Sequence, residues 1–445
     1  MTTVQSPPAP PTALRPRVVA RTGLYAVLAA NAAAVAWFFA QAGFASNALI
    51  VLGRLAGLYG ALLMAFQLLL VARLPWLDRR IGMDRLTSWH RWTGFGVLWT
   101  LLAHVVFIAF GYADSSGMDP VSQVVDLAET VEGVLRAVVA LALLLVVGAA
   151  SARRARRRLA YETWHFIHLY TYVAVVLAFT HQVAVGTTFT ASSAAKAYWY
   201  AVWGLALGAV VVGRAVLPLW RNQRHQLRVS AVVPESDTVV SIHITGRDLD
   251  RLPARAGQFF LWRFLTKDRW WQANPFSLSA APDGRSLRLT AKAAGDGTAA
   301  LRHLKVGTRV FAEGPYGAFT ALHRTRPESL LIAGGVGVTP IRALLEELDG
   351  HAVVVYRVAT DRDAVLYDEL RELARAKGAE LHLVTGPVSP DKLAPAELAR
   401  LVPDIADRDV FLCGPPPMMN AVLASLRALD VPGPQIHFER FSLAG

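Results

Sequence analysis

Four histidines set inside apolar stretches carry the first chemistry legible in this chain. His90 and His104 lie in WHRWTGFGVLWTLLAH, and His168 and His181 lie in HLYTYVAVVLAFTH. An ionisable side chain is costly within a membrane span, so its presence marks function and asks for a partner. Imidazole is the commonest metal ligand among side chains. The partner that suits such pairs is haem iron, which a histidine on each face holds axially. A lone histidine on an apolar face is more often a hydrogen-bonding residue; four at matching depths are not. His90 and His104 are separated by 14 positions, about 21 Å along a helix, and their directions differ by only about 40°. His168 and His181 are 13 positions apart, about 20 Å, which matches in depth. Their directions differ by about 140° on an ideal helix, so a π-bulge or strong tilt is expected there. The pairs are then His90 with His168 and His104 with His181, enough for two haems. His165, beside a basic loop, needs no ligand role. Arg54 is placed to neutralise a haem propionate, whereas Arg136 reads equally well as a snorkelling surface residue.

The elements that must position these residues are six apolar segments, at about 23–42, 49–73, 89–112, 131–150, 162–185 and 196–219. Each approaches the roughly 20 residues that cross a hydrocarbon core as a helix. They are called spans 1 to 6 below. The composition agrees: 54% of residues are hydrophobic and 18% charged, with mean hydropathy +0.36, too apolar for an ordinary soluble enzyme. A net charge of +12 could suggest nucleic acid. The arginines instead cluster in alternate connections, with Arg73, Arg79, Arg80, Arg85 and Arg91 between spans 2 and 3. Arg153, Arg154, Arg156, Arg157 and Arg158 lie between spans 4 and 5. That is the positive-inside pattern, so the charge is topology, and the amino terminus and carboxy-terminal region fall on the cytoplasmic side of a cell membrane. Membrane lipid is the implied surrounding, and nucleic acid is not a partner. Residues 1–21, Pro-rich and basic, read as a disordered cytoplasmic tail. Cys413 is the single cysteine, which excludes an internal disulfide and a four-cysteine iron–sulfur cluster.

Beyond Arg221 the texture becomes that of soluble protein. LRVSAVV, TVVSIHI and SLRLTAK read as antiparallel strands of a small barrel over 224–325. AGQFFLWRF, with Gln258 and Phe259, precedes NPFSLSA and KAAGDGTAAL, the order of a flavin-binding barrel. Asn274, Pro275 and Phe276 would shape an edge against the isoalloxazine, with Ser277 hydrogen-bonding its ring. Lys292, Gly295, Gly297 and Thr298 would receive a pyrophosphate, helped by a helix starting near Thr298. From about 326 to 445 strands alternate with helices, arguing for a parallel α/β nucleotide-binding sheet. AGGVGVTP, with Gly334, Gly335, Gly337, Thr339 and Pro340, is a glycine-rich strand-to-helix turn fit for a dinucleotide phosphate. It departs from GxGxxG by placing proline at the last glycine position. CGPPPMM sets Cys413, Gly414 and Pro415 at another strand end, where open α/β sheets bind ligands. Cys413 alone reads as a small buried hydrophobe. Arg357 and Arg362 follow a strand and could grip the extra phosphate of NADPH.

With these motifs in place, the chain resembles the ferric reductase and NADPH oxidase superfamily of transmembrane flavocytochromes. The resemblance runs from span 2 onward through NPFSLS, EGPYG, GGVGVTP, CGPPPMM and HFERF. It implies that His90, His104, His168 and His181 ligate two stacked b-type haems, that Arg54 meets a propionate, and that Phe441 stacks on FAD near the nicotinamide. The electron path is expected to run via Phe441 and Cys413. Two departures stand out: Asn274 where the family has His or Arg, and SLAG following Phe441. Calcium control is not expected, since no EF-hand loop precedes span 1. The expected activity is transfer of electrons from cytoplasmic NADPH, or NADH, through FAD and the haems to an acceptor outside. No acid–base residue is needed. Dioxygen and a ferric or cupric chelate are the leading acceptors; donation to a periplasmic protein or a quinone is the alternative. The connection from Tyr112 to Thr130, with Asp114, Asp119, Asp126 and Glu129 and no Lys or Arg, mildly favours a cation.

Overall fold

The computed structural model describes residues 16–159, 161–293, 295–386 and 390–439. Contacts divide the chain into two compact units. One comprises Arg21–Arg73 and Leu86–Val212; the other takes in Leu74–Arg85 and the chain from Gly213 onward.

The first unit is helical. Among the described residues, six helices are long and apolar enough to cross a membrane: Val18–Gln41, Ala48–Leu70, Arg85–Ser116, Val134–Ser151, Thr163–Val185 and Ser193–His225. They correspond to the six apolar segments, although the first helix already begins at Pro16. Asn47 caps the second helix by accepting the Leu49 and Ile50 N–H groups, at 2.9 and 3.4 Å. Such a cap satisfies donors that a helix start leaves unpaired. The core gathers Val35, Met64, Phe189, Trp199 and Trp203, with Phe189 and Trp199 stacked at 4.0 Å. The expected π-bulge of span 5 is not there; Tyr161–Val185 is regular α-helix. The π turn falls in the last span instead, at Val212–Val216.

The second unit holds two sheet systems. β1 (Arg228–Pro234), β2 (Val239–Thr245) and β5 (Ser286–Lys292) form one three-stranded antiparallel sheet. β3 (Phe259–Phe264), β4 (Asn274–Ser277) and β6 (Val310–Tyr316) form a second. The expected barrel is thus two facing sheets around one core that includes Ile242, Phe260, Trp262, Leu278 and Leu289. Bridges Arg228–Arg309 and Leu278–Leu289 link strands across them. The nucleotide-type sheet is five-stranded and parallel, in order β11-β10-β7-β8-β9. Its strands are β7 (Ser329–Gly334), β8 (Ala352–Arg357), β9 (Glu380–Val384), β10 (Asp409–Cys413) and β11 (Ile436–Glu439). β7, β8 and β10 are buried throughout, as continuous apolar strands covered on both faces must be.

Candidate functional site

Span 3 and span 5 bring His90 and His168 together, their ring centres 6.0 Å apart and their planes at 70°. Trp164 stacks on His168 at 5.1 Å, donates its indole N–H to Ser151 Oγ at 3.2 Å and carries the Arg156 guanidinium 4.7 Å from its ring centre. His165 touches Trp164 at 6.4 Å; the ring facing His90 is that of His168. His104 sits 14 residues along span 3, and its Nδ1 lies 2.8 Å from the Gly53 carbonyl oxygen of span 2. A carbonyl only accepts, so Nδ1 carries the proton and Nε2 keeps its lone pair, the tautomer of a metal ligand. His181 packs beside Gly133 at the start of span 4, where an added Cβ would stand 3.5 Å from His181 Cα. Arg54 holds its guanidinium 5.2 Å over the Phe39 ring, and its Nη2 is buried without a hydrogen-bond partner among the described residues. A buried donor left in that state suits an anionic group. Arg136 is paired with exposed Glu132 at 3.1 Å. Among the described residues no three or more His, Cys, Asp or Glu side chains gather as a metal cluster.

On the flavin side, β4 places Ser277 with its Oγ buried and lacking a partner among the described residues. Phe276 is half-buried and Pro275 exposed beside it. Asn274 pairs with Trp262 on β3. Gln258 accepts from the Arg255 N–H at 3.0 Å and donates to the Gly317 carbonyl at 3.1 Å, while Phe259 packs against Tyr316. Both side chains therefore brace the sheets themselves. The helix expected near Thr298 is only one turn, Asp296–Ala299, too short for a useful dipole. Thr298 Oγ1 instead closes a local loop with Gly295, donating to its carbonyl at 3.0 Å. Lys292 ends β5, exposed. Residues after β4 are tied to the nucleotide sheet by charge. Arg288 donates to the Ser279 carbonyl at 2.7 Å and to Glu369 at 2.9 Å; Glu369 also pairs with buried Arg342 at 2.6 Å. Neither position carried a sequence motif.

On the nucleotide side, the glycines divide by role. A Cβ on Gly334 would collide with Met418, and one on Gly337 with the Cys413 carbonyl. These two let the β7 and β10 ends close on each other. Gly335, at φ +52°, has open space around it and is the position where backbone can meet a phosphate. Thr339 donates to the Val336 carbonyl at 3.0 Å, and Pro340 is buried in the helix that follows. Gly414 approaches Gly334, while Pro415 stands exposed at the strand end. Arg357 departs from its expected role: it is buried, and its guanidinium donates to the Val358, Val384 and Gly386 carbonyls, the last at 2.7 Å. Arg362 is exposed on the turn Asp361–Asp363. Burial, with the Glu439 carboxylate second, pushes the Cys413 thiol well above its usual range. Glu439 pairs across from Cys413, a neighbour that the HFERF motif alone did not single out. Phe441 lies outside the described residues.

Three family models match in the order of these parts. A "ferric reductase like transmembrane component" covers residues 56–179, an "FAD-binding domain" 223–320 and an "oxidoreductase NAD-binding domain" 331–424. The chain has the architecture of a ferric reductase/NADPH oxidase-like flavocytochrome. It is a multi-pass membrane protein whose membrane part is followed by FAD-binding and NAD-binding domains of ferredoxin-reductase type. Similar proteins include the ferredoxin reductase component of a 3-ketosteroid-9-alpha-monooxygenase from Mycobacterium tuberculosis. It is 34% identical over 233 residues, which make up 48% of this chain and 65% of the relative. The electron transfer component of toluate 1,2-dioxygenase from Pseudomonas putida is 30% identical over 232 residues, covering 49% and 68%. Among solved structures, the FAD/NAD-binding domain of a Vibrio cholerae nitric oxide dioxygenase aligns over 49% of this chain and 98% of that domain. Its identity is 27% and its TM-score 0.42.

Proposed function

We propose that this flavocytochrome moves electrons from cytoplasmic NADPH or NADH, through FAD and two b-type haems, to an acceptor across the membrane, dioxygen or a ferric chelate. The observation that carries the haem part is the 6.0 Å between the His90 and His168 ring centres. An imidazole–metal bond is about 2 Å, and each ring centre lies roughly 1 Å behind its nitrogen, so two imidazoles sharing one ion stand about 6 Å apart. The remaining ligands would come from a porphyrin, which is why two histidines would suffice. When bound, FAD supplies hydride acceptance and one-electron release, and haem iron supplies one-electron carriage.

The chain's own residues supply placement. His90 and His168 would hold the first iron, and His104, its tautomer set by Gly53, would hold the second with His181. Arg54 offers its buried Nη2 to a propionate, in a low dielectric where a charge-assisted pair is strong. Ser277 Oγ meets the flavin ring, and Gly335 lets backbone reach the dinucleotide phosphates. With Arg357 spent on carbonyls, Arg362 is the residue to hold the 2′-phosphate of NADPH. The relatives' printed roles as reductase and electron transfer components support the NAD(P)H-to-flavin half.

Purified protein is expected to give a pyridine haemochrome ratio of two haems per chain, with His104→Leu retaining one. A ratio near zero overturns the haem reading. NADPH should then drive superoxide dismutase-sensitive cytochrome c reduction or ferrozine-detected ferrous iron. If the haems reduce and neither product forms, a quinone or protein acceptor takes their place.

A further inference from the structure

Spans 2 and 3 meet along a single antiparallel register. Asn47 donates to Asp114 at 2.9 Å. An added Cβ on Gly111 would stand 2.7 Å from Ile50, one on Gly53 2.8 Å from Ile108, and one on Gly60 3.0 Å from Leu101. An added Cβ on Gly94 would reach Gln67 at 3.2 Å. Each step along one helix is matched by an equal step back along the other, and beyond the Asn47–Asp114 end each of these contacts has a glycine on one side. Small residues at such a seam let two backbones close, which is how helices pack where no hydrophobic force distinguishes partner from lipid.

One position on the seam does more than pack. Gly57 faces His104, and a Cβ there would stand 2.7 Å from its Nδ1, 3.0 Å from Cε1 and 3.1 Å from Cγ. In a regular helix the carbonyl of residue 53 points at residue 57, whose side chain shields it from sideways approach. Without a side chain at 57, the imidazole comes close against span 2 and reaches the Gly53 oxygen at 2.8 Å.

We propose that Gly57 is a positioning residue for the acceptor-side haem: its missing side chain admits the His104 Nδ1–H···O=C Gly53 hydrogen bond, which fixes the ring and tautomer of that axial ligand. The inference rests on the haem reading above. An outer hydrogen bond of this kind raises ligand basicity and orients the ring, so its loss alters both metal affinity and potential. Gly57→Ala displaces the ring, because the obstructing atom would overlap ring atoms near the Cβ of His104 rather than a flexible tip.

The test compares Gly57→Ala with Gly60→Ala in the full-length protein, by redox titration and low-temperature EPR of the ferric haems. Gly60→Ala adds the same methyl to the same seam, 3.0 Å from Leu101 and Thr100, with no histidine in reach. Gly57→Ala should shift the midpoint potential and the low-spin EPR signal of one haem, or lose that haem, and leave the other unchanged. Gly60→Ala should leave both haems as in wild type, even where it lowers thermal stability equally. Unchanged potentials and EPR in Gly57→Ala, or an equal shift in Gly60→Ala, overturn the inference. A wild-type protein without haem instead overturns the reading on which it rests.

Discussion

Cys413 ends β10 with its side chain fully buried, between Ala333 of β7 and Glu439 of β11. A nucleophilic or redox-active thiol needs a lowered pKa and access; this one is desolvated and faces a carboxylate, so its pKa is raised. Iodoacetamide at pH 8 should therefore leave the folded protein unlabelled and label it only with denaturant; rapid labelling without denaturant would place the thiol on an accessible path. The linkage has a definite sign. The folded-state pKa lies above the unfolded value of about 8.5, so this group's contribution to stability is complete below that pH and fades as pH rises past it. Melting temperatures of Cys413→Ala should accordingly fall less steeply above pH 8.5 than those of wild type. At this scale the histidines were legible because polarity inside an apolar run is conspicuous. Gly57 and Glu439 were not, since what defines them is a neighbour far away in sequence. Arg357 was misjudged for a related reason: the end of β8 looks like a phosphate grip until the Gly386 carbonyl is seen to occupy it. Arg362→Ala should then raise KM for NADPH while sparing that for NADH, and equal effects on both would remove Arg362 from the specificity site.

Among the elements, the helix Pro75–Ile81 was hidden within what the sequence presents as a basic connection. Proline opens it, as suits a first helical position. Its Asp78 is buried and accepts the Gly317 N–H at 2.7 Å. His323 donates to the Arg79 carbonyl at 2.8 Å, and Asn222, near the end of the last span, exchanges two hydrogen bonds with Ala312 at 2.8 Å each. EGPYG, one of the motifs that carry the family resemblance, is thus also the edge on which this connection docks. Asp78→Asn keeps the shape and removes a charge-assisted acceptor, at a cost of about 1–3 kcal/mol. Melting followed by FAD fluorescence should show flavin release several degrees lower, with haem absorbance unaffected before that transition; an unchanged profile would mean the contact adds nothing to stability. The strands were easier to read. β5 and β7 coincide with SLRLTAK and SLLIAG, since period and turn residues are local signals. The π-bulge expected in span 5 is absent, and His168 meets His90 from a regular helix.

For the whole molecule, the order of parts was plain in composition, but the partition was not. Leu74–Arg85 belongs with the soluble sheets rather than with the spans that flank it, because a stretch rich in arginine serves topology and docking alike. That same asymmetry dictates a direction that vesicles can read. If the arginine-rich connections face the cytoplasm, the nucleotide sheet does too, and the ends of spans 3 and 5 bearing His104 and His181 face outward. In sealed inside-out vesicles, added NADPH should be oxidised at once, with electrons delivered to a ferric chelate trapped in the lumen. In sealed right-side-out vesicles the same NADPH should be inert until detergent is added. If electrons cross in this way, charge must follow them: each one crossing would leave a membrane potential that opposes the next, about 2.3 kcal/mol per 100 mV. A protonophore should therefore accelerate NADPH oxidation by tight inside-out vesicles and have no effect on leaky ones. Oxidation equally fast from both faces, with no response to the protonophore, would place donor and acceptor on one side of the membrane and leave the histidine pairs without a path to serve.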